Sequence, residues 1–304
     1  MIHYYQAIQE DGVTCSIDMI RLKLDFSSEE KTVAFGKWLS APHRLYVETY
    51  PNSFKQYSYR NLFKITCAND QSFVLGLSLN GNNKDSYYLG FMEFNPNKVA
   101  DQREFRKVYD MLRTYCFCAE VVRWDLAVDV PLRRDMCILQ KDKRTYHLIQ
   151  NSSVDKTENL GQRNKSGYVK LYNKTIESDL DVDMTRLEIT VGGKMTYDEF
   201  VKILPRVEVK GDQQVIDPYL DLKDTDIVLY ELLMKCDFTE RQEYIKRLGR
   251  GKAQKLKPYL RGSVYDSDKF VVSHDIYRQL RHQLREWTIG IKYTLLDDWK
   301  ELND

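Results

Sequence analysis

The sequence predicts an α+β fold, with an antiparallel-sheet domain over residues 1–215 followed by a mostly helical domain over 216–304. Three observations predict it. Short apolar runs with partial period-two alternation recur between Thr14 and Val191, separated by Asn-, Asp- and Gly-containing turns. From about Asp221 onward the apolar period becomes helical, with Lys269–Val272 the one further strand candidate. Between these halves GDQQVIDPYLD combines Gly, Pro and polar residues, which places the boundary near Asp212–Asp221.

Taken in order, TCSIDMIRLKLDF (14–26) reads as the first strand. Ser27 and Ser28 followed by Glu29 and Glu30 mark a helix start, with Val33, Phe35 and Trp38 as its apolar contacts. Strands follow at 62–67, 72–79 and 87–94, with turns at Asn69-Asp70 and over Asn80–Asn83. In 101–115, Phe105, Val108, Tyr109 and Leu112 share one helical stripe. The second half gives a strand at 121–130, a helix over 137–150, and strands at 167–174 and 185–191 joined by an acidic, turn-rich connector.

Composition narrows the function classes. The 304 residues carry 46 basic and 45 acidic side chains, with 30% charged, 42% hydrophobic, 14 Gly and 7 Pro, which excludes a disordered or collagenous chain. Apolar runs such as Phe73–Leu77 fall far short of the roughly 20 residues that cross a bilayer. MIHYYQAIQEDG has no signal-peptide pattern, so a cytoplasmic protein without membrane partners is expected. The six cysteines lack zinc-ligand spacing and read as reduced thiols.

Three strands carry chemistry. In VVRWDLAVDV the residues Arg123, Asp125, Ala127 and Asp129 share one face; in YVKLYNK it is Tyr168, Lys170, Tyr172 and Lys174; in TRLEITV it is Arg186, Glu188 and Thr190. A solvated sheet face accounts for such alternation in any one strand. Mid-strand acids are disfavoured, however, and two in one strand plus a Glu in another are explained by a cation that they ligate. Carboxylates without imidazole or thiolate favour Mg²⁺ or Mn²⁺. A tyrosine and a lysine beside such an ion suit attack of a phenolic oxygen on a phosphodiester.

WDLAVDV, SGYVKLYNKTIE and TRLEITV, in this order, resemble the R-x-D-x-x-x-D, S-x-x-x-R-[LI]-Y-[DN]-K-x-x-E and R-x-E segments of the Rep_trans family. That family comprises rolling-circle replication initiators of small plasmids and related relaxases of conjugative elements. The resemblance covers about residues 120–195 and, more loosely, 15–115. It implies a fold related to the HUH nickases, in which a tyrosine cuts one DNA strand and stays on the 5′ phosphate. It assigns Tyr172 as nucleophile, with Lys174 and Lys170 beside it, Glu177 as the trailing glutamate, and Asp125, Asp129 and Glu188 as metal ligands. Lys170 stands where the family carries Arg, and no His-x-His occurs. Tyr168, two residues before Lys170, is a rival nucleophile. The implied partners are a replication origin with a hairpin and a single-stranded nick site, a second copy of the chain and a host helicase.

Residues 241–261 hold eight basic side chains against Glu243. Arg247, Arg250, Lys252, Lys255 and Lys257 in this segment, and the Arg278, Arg281, Arg285 stripe of IYRQLRHQLREW, are the expected DNA contacts. A helix-turn-helix is expected around Leu248-Gly249. The reading is a plasmid replication initiator that nicks and closes DNA; a conjugative relaxase or a non-catalytic DNA-binding regulator are the alternatives.

Overall fold

The computed structural model describes residues 7–10, 13–41, 45–51, 61–78, 89–152, 154–210, 222–236, 238–261, 265–266 and 268–290. The chain starts with the antiparallel pair β1 (Ile8–Glu10) and β2 (Val13–Asp25). Helix α1 (Glu29–Ser40) begins where the Ser28 hydroxyl accepts from the Lys31 amide at 3.3 Å. Strands β3 (Tyr46–Pro51), β4 (Asn61–Thr66), β5 (Ser72–Leu77) and β6 (Leu89–Phe94) then pair antiparallel in sequence. Two helices, α2 (Pro96–Val99) and α3 (Arg103–Tyr115), lead into β7 (Cys118–Val130).

After a 3₁₀ turn at Arg134–Met136 come β8 (Cys137–Leu139), β9 (Tyr146–Gln150), β10 (Lys156–Leu160), β11 (Val169–Asn173), α4 (Lys174–Ser178), β12 (Thr185–Gly192), α5 (Tyr197–Ile203) and β13 (Val207–Lys210). Beyond these lie α6 (Asp224–Lys235), α7 (Phe238–Arg247), α8 (Arg250–Arg261), β14 (Tyr265–Asp266) and α9 (His274–Arg285). The large antiparallel sheet runs β3-β4-β5-β6-β2-β7-β12-β11-β10-β9 with β1 beside β2, and β14-β13-β8 form a small second sheet.

One face of the large sheet is apolar because each strand alternates. Cys15, Ile17, Ile20, Leu22 and Leu24 of β2, Trp124, Leu126 and Val128 of β7, and Leu187, Ile189 and Val191 of β12 join one buried core. The predicted stripe of α3 (Phe105, Val108, Tyr109, Leu112) packs there. The predicted turn at Asn69-Asp70 is present, with Asp70 at φ 60°; the stretches Asn80–Asn83 and Asp212–Asp221 lie outside the described residues.

Three expectations are corrected. Residues 137–150 are two strands and a turn, not a helix: Asp142 and Arg144 close a polar turn that divides Cys137–Leu139 from Tyr146–Gln150, and neither piece has the length of a helix. Lys269–Val272 is not a strand, since Asp268–Phe270 form a 3₁₀ turn. Helix α9 was expected within the C-terminal helical unit, yet its Ile276, Tyr277, Leu280 and Leu284 are buried in the core of the sheet. Tyr277 stacks on Phe200 at 4.6 Å and lies 5.9 Å from Trp124, while Trp287 lies 5.1 Å from Phe94. Ile289 then bridges to Ala119 through paired backbone hydrogen bonds. The next residue, Gly290, has φ +69°, and a Cβ there would fall 2.2 Å from the Phe117 carbonyl. Helices α6–α8 instead share a separate small cluster around Leu222, Leu233 and Leu256.

Candidate active site

The opposite face of the sheet gathers the residues singled out in sequence. Because β7, β12 and β11 are adjacent and antiparallel, register alone puts Asp129 opposite Arg186 and Arg186 opposite Tyr172. The next row is Ala127, Glu188 and Lys170; the one after pairs Asp125 with Thr190. The three motifs, spread over residues 124–191, therefore form one surface.

Tyr172 lies at its centre, 9% exposed, and its hydroxyl donates to Glu188 Oε1 at 2.5 Å. The second oxygen of Glu188 is ion-paired with Lys170. Burial, and then the Glu188 carboxylate, push the Tyr172 phenol above its ordinary range, so it keeps its proton until a base takes it. Burial alone would lower the Lys170 ammonium, but Glu188 outweighs it and holds that pKa up. Lys174 pairs with Glu177 at the start of α4 and lies within electrostatic reach of Asp18. Tyr168 is differently placed: its hydroxyl donates to Asn159 Oδ1 at 2.9 Å and has no carboxylate acceptor among its described hydrogen bonds.

The expected metal ligands divide. Asp125 is half-buried, with one fully buried carboxylate oxygen that has no hydrogen-bond partner, and desolvation, partly offset by Thr190, pushes its pKa up to about 6. An orphaned buried carboxylate oxygen is what a hard cation would satisfy. Asp129 instead accepts two bonds from Arg186, from Nε at 2.6 Å and Nη2 at 2.7 Å, and Glu188 is engaged by Tyr172 and Lys170. Among the described residues no three His, Cys, Asp or Glu side chains come together as a ready cation site. The donors therefore fit a metal at Asp125, and not as a preassembled trio.

Sequence reasoning missed Asp18. It is the extra residue of a bulge in β2, where the register with β7 skips from Ile17 to Met19. The bulge turns its carboxylate to Arg186 Nη1 at 2.9 Å and Asn95 Nδ2 at 3.2 Å; burial, and then Glu188, raise its pKa. The signal was present, since Asp18 is a mid-strand acid in SIDMI just as Asp125 is in RWDLA.

The expected DNA contacts also separate. Arg247, Arg250 and Lys252 are exposed on α7 and α8, which the Leu248-Gly249 turn joins; Lys257 lies on α8. Lys255, also exposed, pairs with Asp226 at 3.2 Å. Arg241, counted in the basic run, is buried and donates to the carbonyls of Leu233, Met234 and Cys236, so it closes the end of α6. Arg278, Arg281 and Arg285 lie on α9, on the side of the sheet away from Tyr172.

No family model matches the chain, and no curated protein matches it. Among solved structures the chain is similar to a rolling circle replication initiator protein from Geobacillus stearothermophilus, at 14% identity over 82% of this chain and 97% of that one, with a TM-score of 0.35.

Proposed function

We propose that the protein is a DNA strand transferase that initiates rolling-circle replication of a plasmid, with Tyr172 as its nucleophile. The observation that carries this is the 2.5 Å hydrogen bond from a buried phenol to a carboxylate that is itself ion-paired with a lysine. A nucleophile with a raised pKa needs a base against it, and Glu188 stands there on the polar face of the sheet.

In the proposed step the Tyr172 oxygen attacks the phosphorus of one strand as its proton passes to Glu188. The bond to the 3′ oxygen breaks and that oxygen leaves, taking a proton from water, so the products are a 5′-phosphotyrosine and a 3′ hydroxyl. Lys170 and Lys174 offset the charge that grows on the phosphoryl oxygens. Arg186, held by Asp129 and Asp18, fixes the row in which Tyr172 sits. A Mg²⁺ or Mn²⁺ anchored by Asp125 would polarise the phosphoryl oxygen. A conjugative relaxase would use the same site; the origin hairpin, a homodimer and a host helicase are proposed on the family resemblance alone, and a cytoplasmic location on the sequence pattern.

The test is a pool of 3′-labelled single-stranded oligonucleotides incubated with the full chain and Mn²⁺. A covalent protein–DNA band that resists denaturation is expected, and nuclease digestion should leave a phosphotyrosine at position 172. Absence of any adduct over a range of divalent ions and pH overturns the reading.

A further inference from the structure

Two arginines face each other directly in the middle of the large sheet. Arg21 of β2 and Arg123 of β7 are register partners on the polar face, and Arg123 precedes Asp125 by one step on that face. Like charges directly opposite on an antiparallel pair destabilise it. Glu93 of β6, in the same row, is ion-paired with both, 3.5 Å from Arg21 Nη1 and 3.2 Å from Arg123 Nη2. Both guanidinium groups thus converge on Glu93, like charge beside like charge.

Both side chains are fixed, at 22% and 13% exposure. Arg21 lies 4.5 Å over the ring of Phe91. Arg123 donates to Asn164 Oδ1 at 3.1 Å, and its Nε is buried with no partner. Asn164, at φ 66°, belongs to the loop between β10 and β11, where Arg163 and Lys165 are exposed on either side of it. On β12 the residue opposite Arg123 is Gly192, so no side chain of that strand fills the space beside it.

We propose that Arg21 and Arg123, with Arg163 and Lys165 above them, bind the phosphate backbone of the single DNA strand that enters the active site. The pair lies three rows from Tyr172, which is roughly 20 Å along β12 from Arg186 to Gly192. Preoriented, weakly hydrated guanidinium groups suit phosphate oxygens better than any other anion the site is built to meet. This rests on the strand-transferase reading, and it supplies what that site lacks, a fixed cationic grip on the strand beyond the reacting phosphate.

The experiment measures the affinity of the full chain for a fluorescent oligothymidylate by anisotropy over a series of salt concentrations, beside the adduct assay on wild type. Single-stranded DNA gives a log–log slope of about −0.7 per phosphate contact, so R21Q/R123Q should flatten the slope by about 1.4 and R21K/R123K should restore most of it. Because the glutamines also strip Glu93 of its partners, the exposed pair R163Q/K165Q provides an independent reading and should flatten the slope similarly. Unchanged slopes in the folded glutamine variants overturn the proposal, whatever the adduct assay gives. An adduct-negative wild type whose slope still depends on these residues supports the phosphate site and overturns the strand-transferase reading instead.

Discussion

Tyr172 donates a 2.5 Å hydrogen bond to Glu188, which lies on the neighbouring strand one row away. No other described tyrosine on this face meets a carboxylate, since Tyr168 donates to the neutral Asn159. Tyr172→Phe should therefore fold and bind single-stranded DNA as wild type does and form no covalent adduct, while Tyr168→Phe should retain it. Adduct formation by Tyr172→Phe, read on a denaturing gel, would move the nucleophile to Tyr168.

Asp125 has its pKa raised from 3.8 to about 6. The folded state then holds its proton more tightly than the unfolded state does. The associated stability is full below pH 3.8, falls as pH rises through 6, and is flat above. Asp125→Asn should remove that slope from thermal melts and leave the protein at least as stable as wild type at pH 7–8. Mn²⁺ should raise the melting temperature of wild type only as pH passes 6, and of Asp125→Asn not at all.

Duplex DNA should be held by α7 and α8. Arg250→Gln and Lys252→Gln should each flatten the salt dependence of duplex binding by about 0.9, whereas Arg241→Gln should lower stability, because its guanidinium closes α6. Deleting everything after residue 215 should leave an unfolded chain, since it strips Tyr277, Leu280 and Trp287 from the sheet core. A cooperative melt from that fragment would contradict the packing of α9.

On the apolar side, Arg134 is buried against Glu158, which also accepts from Tyr146 at 2.7 Å. Removing one partner of a buried pair costs about 3–5 kcal/mol. Glu158→Leu should lose stability on this scale in urea titrations, and Glu158→Leu combined with Arg134→Met should recover much of it.

Much of this site was legible because strand alternation is a local property. Asp125, Glu188, Lys170 and Tyr172 each declare a face by position alone, and antiparallel register then makes the faces one surface. What was not legible depends on tertiary packing. Nothing in RTYHLIQ distinguishes a five-residue edge strand from a turn of helix until β10 pairs with it. The apolar stripe of α9 was visible, but a stripe does not say which core it enters, and the sheet rather than α6–α8 receives it. Asp18 escaped because a bulge shifts it out of the period that the rest of β2 obeys.

Helices α6–α8 lie, in chain order, between β13 and α9, so the last helix to leave the ribosome among the described elements is one that closes the sheet. The polar face that holds Tyr172 therefore cannot gain its full rigidity until the basic helices have already been made. A chain interrupted during translation would carry the polar face without the finished core that backs it.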